Sequence, residues 1–308
     1  MRTDSGDFQR VRMLVEVLPA VAAEDCFAVK GGTAINLFLL DLPRLSVDID
    51  LTYLPIDDYA VACEEIDAAL RRIRDRLIGG SPPFTVALGP GRGSGHIDTL
   101  RVGRGGLDIK IEVNPVLRGT LHPTALLSIR PAAEEHFGFA RMTVLAHDDV
   151  YAGKLVAALD RQHPRDLFDA KLLMESGGIP DSLFRAFLVY LAGHKGVIAQ
   201  TLEPRRKDVS RLYQEQLVDM LSQPASLEEL VEARERLILA IHERLGNREK
   251  RFLLSVKRME PDWGLLGLPA AATLPAVRWK LHNLAQMTAD KHKAALENLE
   301  RVLDRIGK

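Results

Sequence analysis

Two aspartates one residue apart, Asp48 and Asp50, are the side chains of this sequence best placed to do chemistry. They lie in an apolar segment that predicts a β-strand, and side chains on a strand alternate between its two faces. Both carboxylates are therefore expected to project from one face, where they repel each other. A divalent cation between them removes that repulsion, and Mg²⁺, which prefers hard oxygen ligands, fits the pair best.

A double glycine, Gly31-Gly32, precedes this segment and joins a predicted strand, 26–30, to a short apolar helix, 34–40. A helix that begins behind such a turn presents free backbone N–H groups to an anion. Alone, the two glycines are better explained by a strand-to-helix turn that needs positive φ. Because the aspartate strand follows, they predict a phosphate-binding turn beside a metal site, the equipment of nucleotidyl or phosphoryl transfer.

Ser46 shares strand parity with Asp48 and Asp50, so its hydroxyl is expected on the same face, at the metal and the triphosphate. The alternative is an ordinary solvent-facing strand residue. The glycines belong to neither of two common nucleotide-binding motifs, because no Gly-Lys-Ser/Thr follows them and Gly-x-Gly-x-x-Gly is absent.

The order of these motifs resembles the DNA polymerase β nucleotidyltransferase superfamily, and more closely the AbiEii/AbiGii toxin family, which includes the MenT-type toxins. The resemblance extends from residue 30 to about residue 284. It rests on the following segments: Gly31-Gly32-Thr33-Ala34, Arg44-x-Ser46-x-Asp48-Ile49-Asp50, Lys110-Ile111-Glu112, Lys154, Arg165-Asp166-Leu167-Phe168-Asp169 and Trp279-Lys280-Leu281-x-Asn283-Leu284.

This resemblance implies an α/β (α+β) fold: a polymerase-β-like mixed sheet with packed helices, followed by an α-helical C-terminal domain. We place the boundary at Gly177-Gly178, which gives a nucleotidyltransferase domain over 1–178 and a helical domain over 179–308 that closes the cleft. Three short runs, 84–88, 97–102 and 107–113, predict an antiparallel meander with glycine turns. Beyond the boundary, amphipathic helices are predicted, among them one over 208–222.

The resemblance also implies roles for individual residues. Asp48 and Asp50 would bind Mg²⁺ (or Mn²⁺) on a nucleoside triphosphate. Glu112 would complete the metal shell or act as general base on the attacking hydroxyl, although an ordinary Lys110–Glu112 pair on a half-exposed edge strand explains the pattern almost as well. The predicted nucleotide-binding group is Gly31, Gly32, Thr33, Ser46, Lys154 and Asp169.

Lys154 lies on a predicted helix that ends near Asp160, and the resemblance makes it a lysine that steadies the triphosphate. Asp166 and Asp169 are three residues apart and share a face of the next helix. Asp166 would help to activate the acceptor, as an alternative to Glu112. Helix capping with a local Arg165 ion pair explains Asp166 equally well.

As to function, the resemblance implies an enzyme, the toxin of a toxin–antitoxin system, that transfers a nucleoside monophosphate to an RNA acceptor. The implied acceptor is a tRNA 3′ end, so that translation and growth stop. A cognate antitoxin is implied, often a transcriptional regulator that forms no tight complex. Two alternatives stay open: a polymerase-β-like transferase for a small molecule or protein hydroxyl, and a nucleotide-binding module without catalysis.

Composition is that of an ordinary globular protein of 308 residues, with 46% hydrophobic and 27% charged residues. A net charge of −1 gives no global basic field, so any RNA contact needs a local patch. Basic runs that could hold RNA phosphates are also typical of solvated helix ends. They are Arg205-Arg206-Lys207, Arg248-Glu249-Lys250-Arg251 and Lys291-His292-Lys293.

Cys26 and Cys63 lie in apolar-periodic segments, which favours buried reduced thiols over a disulfide and a cytoplasmic location. The N-terminus is polar, and no apolar run approaches the roughly 18 residues of a membrane span, so we expect neither a signal peptide nor a membrane anchor. The histidines lack the spacing of a zinc site.

Overall fold

The computed structural model describes residues 3–91 and 95–306, which form two compact units. The first unit takes the chain as far as Val150 and includes a returning segment, Val218–Pro224. The second comprises Tyr151–Leu217 and the chain from Ala225 onward. The predicted domains, 1–178 and 179–308, place the boundary at residue 178, whereas the chain leaves the first unit at Val150. The reason is that the chain between 151 and 178 packs with the helices that follow it.

The first unit is built on a mixed sheet, which among the described residues has seven strands in the order β3-β4-β5-β2-β1-β7-β6. β2 runs parallel to β5 and β1 parallel to β7, and the other neighbours are antiparallel. The strands are β1 (Phe27–Lys30), β2 (Asp48–Tyr53), β3 (Thr85–Pro90), β4 (Ile97–Arg104), β5 (Leu107–Val113), β6 (Ala125–Ser128) and β7 (Arg141–Val144).

The predicted mixed sheet and its antiparallel meander are confirmed in β3, β4 and β5. The first glycine turn of that meander includes residues 92–94, which lie outside the described residues. β6 and β7 were not predicted. Each has only four residues, too few for a period of two to stand out.

The helices of the first unit flank the sheet, with α1 packed against β5 and β7 and α3 against β4. The Ser5 hydroxyl caps α1 by accepting from the Phe8 N–H at 3.2 Å. The short helix after β1 begins at the glycines and widens into a π-helix, a form found mostly at functional sites. These helices are α1 (Gly6–Ala22), α2 (Gly31–Thr33, continued as π-helix over Ala34–Leu39), α3 (Tyr59–Ile78) and α4 (Pro131–Phe137).

The second unit is helical in its described part, as predicted. None of the described helices combines the length and the apolar composition that a membrane crossing requires. The helices are α5 (His147–Asp160), through which the chain enters this unit, α6 (Pro164–Glu175), α7 (Asp181–Gly193), α8 (Ile198–Leu202), α9 (Ser210–Gln216), α10 (Leu227–Arg244), α11 (Asn247–Lys257), α12 (Pro275–Ala285) and α13 (Ala289–Arg305).

A returning segment, Val218–Pro224, brings the chain back to the first unit, so the predicted helix over 208–222 is wrong beyond Gln216. Backbone hydrogen bonds explain the early end. The Leu45 N–H donates to the Met220 carbonyl at 2.8 Å, and the Ser222 N–H donates to the Pro43 carbonyl at 3.0 Å. The returning segment thus holds the stretch of chain that leads into β2.

Both cysteines are free thiols, Cys63 buried and Cys26 half-buried. Burial raises the pKa of the Cys26 thiol to about 11, so the thiolate is scarce at neutral pH.

Replacing Ile111 on β5 by alanine should lower the free energy of unfolding by about 2–5 kcal/mol, because this fully buried side chain leaves a cavity between β4 and β2. Denaturant titration measures the loss. Leu126→Ala, at an exposed position of β6, is the matched control and should change stability by at most about 0.5 kcal/mol. Equal losses in both variants would contradict this account of the core.

Candidate active site

The central strands of the sheet bring the predicted acidic residues into register. Asp50 on β2 lies opposite Lys30 on β1 and opposite Glu112 on β5, and Asp48 lies opposite Lys110. Residues paired across strands point to the same face, as do residues two apart on one strand. These five side chains therefore share one face of the sheet, which carries three carboxylates and two ammonium groups.

Two lysines balance part of the negative charge on this face. Lys110 forms an ion pair with Glu112, both side chains being partly exposed. Burial lowers the pKa of Lys30, while the nearby Asp50 and Glu112 act in the opposite direction. Asp48 and Asp50 thus lie one residue apart at the start of β2, on the face that also carries these two lysines.

The donor chemistry of Asp48 and Asp50 fits a divalent cation. Mg²⁺ is commonly held by one or two carboxylates, with water and substrate phosphates in its other positions. Within 3–91 and 95–306, no three His, Cys, Asp or Glu side chains are grouped as a metal site. The candidate metal ligands are therefore Asp48 and Asp50, because Glu112 forms an ion pair with Lys110.

The double glycine lies directly against the aspartate strand. Gly31 has φ +67°, and a Cβ placed on it would lie 2.7 Å from Asp50 Oδ2. A Cβ on Gly32 would lie 2.8 Å from Ser46 Oγ and 2.9 Å from Arg44 Nη2. Contacts under 3.0 Å are essentially never made by real Cβ atoms. A side chain at Gly31 would be strained by the positive φ, and one at Gly32 would have to displace the Ser46 hydroxyl and the Arg44 guanidinium, so the close approach to the acidic strand favours glycine at both positions.

Side-chain hydrogen bonds hold the turn in place. The Thr33 hydroxyl donates to the Asp48 carbonyl at 2.5 Å and lies 3.1 Å from Ser46 Oγ. Asn36 Nδ2 donates to the Gly32 carbonyl at 2.8 Å. Thr33 and Ser46 are both buried, so their hydroxyls connect the turn to the strand. Their predicted contact with phosphate stays a prediction.

Two residues of this site had no role assigned from the sequence, Asn36 and Arg44. Arg44 is almost fully buried, and its Nη1 donates to the Leu45 carbonyl at 2.8 Å. Its guanidinium is packed against Gly32, which places a positive charge beside the predicted phosphate-binding turn. Asn36 was detectable in principle, since it follows Gly32 at the four-residue spacing of one helical turn.

In the second unit, Lys154, Asp166 and Asp169 form one buried ion-pair cluster. Lys154 Nζ lies 2.7 Å from Asp166 Oδ1 and 3.0 Å from Asp169 Oδ2. The three side chains are 6%, 1% and 0% exposed. Pro164 occupies the first position of α6, and the His163 side chain caps that helix by accepting from the Arg165 N–H at 3.2 Å. The helices α5 and α6 thus bring together Lys154, Asp166 and Asp169, which the sequence had suggested separately.

Arg161 completes this cluster and was assigned no role from the sequence. Its Nε lies 2.6 Å from Asp166 Oδ2 and its Nη2 3.0 Å from Asp166 Oδ1, a two-point contact, while its side chain stays 63% exposed. Burial by itself raises the pKa of Asp166, but the Lys154 and Arg161 charges outweigh it and hold the pKa well below its usual range. Asp166 is therefore an ionised carboxylate and a weak base.

A mixed sheet whose glycine-opened helix lies on an Asp-x-Asp strand is the arrangement expected of a nucleotidyltransferase. The family model described as nucleotidyl transferase AbiEii toxin, type IV toxin–antitoxin system, matches residues 12–283, and the chain belongs to this family. The resemblance drawn from the sequence is confirmed. The protein is thus a nucleotidyltransferase and toxin that uses a nucleoside triphosphate, and the family implies a cognate antitoxin.

A solved structure has a similar fold. MenT4, a nucleotidyltransferase toxin from Mycobacterium tuberculosis H37Rv, matches with a TM-score of 0.54 and 15% identity. The match covers 98% of this chain and 94% of MenT4. No curated protein sequence matches the chain significantly.

Gly32→Ala should reduce nucleotidyl transfer by about a hundredfold, because its Cβ displaces the turn from Ser46 and Arg44 by a fraction of an ångström or more. Transfer rates at saturating triphosphate measure the effect. Gly80→Ala is the matched control, since a Cβ there meets nothing closer than 3.5 Å. Retention of full activity by Gly32→Ala would show that the close approach is unnecessary.

Asp166→Asn should cost about 3 kcal/mol of unfolding free energy at pH 7, because Lys154 loses one of its two buried partners. The pKa of Asp166 is lower in the folded state than in the unfolded chain, so its stabilising effect is complete above roughly pH 4 and declines as the pH falls further. The difference between the two proteins should therefore shrink in acid. Urea titrations at several pH values measure it.

The control for this comparison is Asp181→Asn, at an exposed surface ion pair with Arg244, which should change stability little at any pH. A constant difference between wild type and Asp166→Asn across the acid range would contradict the lowered pKa.

Proposed function

We propose that this toxin transfers a nucleoside monophosphate from a nucleoside triphosphate to a hydroxyl of an RNA acceptor, a tRNA 3′ end, and so blocks translation. The observation that carries the proposal is the contact of Gly31 with Asp50 and of Gly32 with Ser46. It joins an anion-binding turn to a pair of metal-binding carboxylates, and phosphoryl chemistry needs both together.

Asp48 and Asp50 would hold Mg²⁺ (or Mn²⁺), since the two carboxylates share a face and offer hard oxygen donors. Bound there, the ion would neutralise phosphate charge and polarise the reacting phosphoryl group. The backbone N–H groups at Gly31, Gly32 and Thr33 would bind phosphate oxygens. The buried Arg44 guanidinium adds positive potential to the same turn.

In the transfer step the acceptor hydroxyl forms a bond to the α-phosphorus, the bond from that phosphorus to the bridging oxygen breaks, and pyrophosphate leaves. The hydroxyl proton passes to a carboxylate, Glu112 or Asp166 in our proposal. The lowered pKa of Asp166 makes it a weak base and so favours Glu112. Lys110, paired with Glu112, would hold that carboxylate in position.

Lys154 and Asp169 have supporting roles in the proposal. Lys154 supplies a fixed positive charge for the triphosphate, a task suited to an ammonium group. Asp166 and Asp169 would hold that ammonium in one position, a role that their distances of 2.7 and 3.0 Å from Lys154 Nζ support. We further propose that the enzyme acts in the cytoplasm and that its antitoxin is a transcriptional regulator that forms no tight complex with it.

Incubation with each labelled nucleoside triphosphate, Mg²⁺ and total tRNA should transfer label into RNA, and Asp48→Ala should lower that rate by at least about a hundredfold. Asp108→Ala is the matched control, because this exposed aspartate of β5 pairs with Arg101 and should be dispensable. Omission of the divalent cation should abolish labelling of RNA.

Equal labelling by Asp48→Ala and the wild type would refute the proposed metal site. Pyrophosphate release without labelled RNA, accompanied by label in a protein or small molecule, would instead support the alternative acceptors.

A further inference from the structure

Helix α12 presents an exposed aromatic face in the second unit. Its apolar side is buried through Val277 and Leu284, whereas Trp279 on the other side is 47% exposed. The other tryptophan of the chain, Trp263, packs on Phe252 with ring centroids 5.2 Å apart. Several large apolar side chains of the described chain are similarly exposed, so what distinguishes Trp279 is its surroundings.

Trp279 is not isolated on this face. The His282 ring stacks on it with centroids 5.9 Å apart and an interplanar angle of 25°. The two rings are three residues apart, so one helical face aligns them. Exposed polar side chains continue the face at Asn283 and Gln286. The result is a short platform of near-parallel rings with hydrogen-bonding groups beside it, which we call the α12 face.

The charge of α12 favours an anionic partner. The helix carries Arg278 and Lys280 and no acidic residue. Lys280 is used within the protein, because its Nζ donates to the His194 and Gly196 carbonyls at 2.9 and 2.6 Å, and burial lowers its pKa to about 8. Arg278 is exposed, and among the described residues the structure shows no ion pair for it. Arg258, which directly follows α11, by contrast pairs with Glu300.

The basic runs of the sequence divide in the same way. Arg206 binds Glu235 at 2.7 Å, Lys207 donates to the Asp160 carbonyl, and Arg248 pairs with Glu249, so these charges are engaged internally. In the described part of the second unit, Lys291 and Lys293 are exposed and show no ion pair. Within the same described part, Arg205 and Arg251 of the other two runs are likewise exposed and show no ion pair, so Arg278 on α12 is one of several cations open to an anionic partner.

We infer that the α12 face binds single-stranded RNA, with an unpaired base stacked on Trp279 and a backbone phosphate held by Arg278. The inference rests on the proposed RNA acceptor and names a part of the chain that receives it. Proteins bind single strands through aromatic rings that stack on bases and cations that contact phosphates. The α12 helix offers the exposed Arg278 to a phosphate and carries no carboxylate that would repel one.

Tryptophan fluorescence provides a direct test. In a Trp263→Phe background, which keeps a ring against Phe252, Trp279 is the only tryptophan and reports on its own surroundings. Titration with a short unstructured oligoadenylate, without nucleoside triphosphate or metal, should quench its emission with saturation. Asp48→Ala in the same background should show the same quenching, because binding at α12 does not need catalysis.

Affinity for the oligoadenylate, measured by anisotropy of a labelled strand, should fall about tenfold or more in Trp279→Leu and much less in Trp279→Phe, which keeps a stacking ring. Arg278→Ala should weaken binding and reduce its salt dependence by about the share of one phosphate contact. The matched controls are Leu239→Ala and Arg211→Ala, at exposed positions of α10 and α9, which should leave affinity unchanged.

Several results would overturn the inference. One is saturable RNA binding that leaves Trp279 emission unchanged and survives Trp279→Leu. Another is a shift of Trp279 emission with protein concentration alone, which would mean that the α12 face joins two copies of the chain. Stacking at Trp279 combined with failure of every triphosphate to label RNA would refute the proposed function and leave this binding surface standing.

Discussion

The site depends on the absence of two side chains. At Gly31 and Gly32 there is no room for a Cβ, because the Asp50 carboxylate, the Ser46 hydroxyl and the Arg44 guanidinium occupy that space. The backbone of the turn therefore comes close to the acidic strand. The hydrogen bonds of Thr33 and Asn36 fix this approach in one geometry. Everything proposed for nucleotide and metal follows from that single steric condition.

Charge on the sheet face is organised by pairing between strands that are far apart in sequence. β2 and β5 are parallel neighbours, although two strands and a helix intervene along the chain. That pairing sets Asp48 beside Lys110 and Asp50 beside Glu112, while Lys30 on β1 lies on the other side of Asp50 and Lys110 forms the ion pair with Glu112. The second unit uses the same principle, because Lys154 and Arg161 together balance the charges of Asp166 and Asp169.

Local patterns predicted much of this protein. Strand parity placed Asp48 and Asp50 on one face, and the glycine-punctuated runs predicted the meander of β3, β4 and β5. What the sequence did not predict depends on long-range contacts: the four-residue strands β6 and β7, the returning segment that ends the helix over 208–222 at Gln216, and the two-point contact of Arg161 with Asp166. No period or spacing encodes such contacts, because each is decided by elements that meet only in the folded chain.

The backbone hydrogen bonds that join Leu45 to Met220 and Pro43 to Ser222 have a consequence for the synthesis of the protein. A nascent chain that ends near Val150 contains all the described strands of the sheet. The Leu45 N–H and the Pro43 carbonyl, just before β2, still lack their hydrogen-bond partners at that stage. Those groups find their partners only after the first part of the second unit, Tyr151–Leu217, has also been made. The two units are therefore interleaved in the sequence, and the stretch that leads into the acidic strand forms its last backbone hydrogen bonds late in translation.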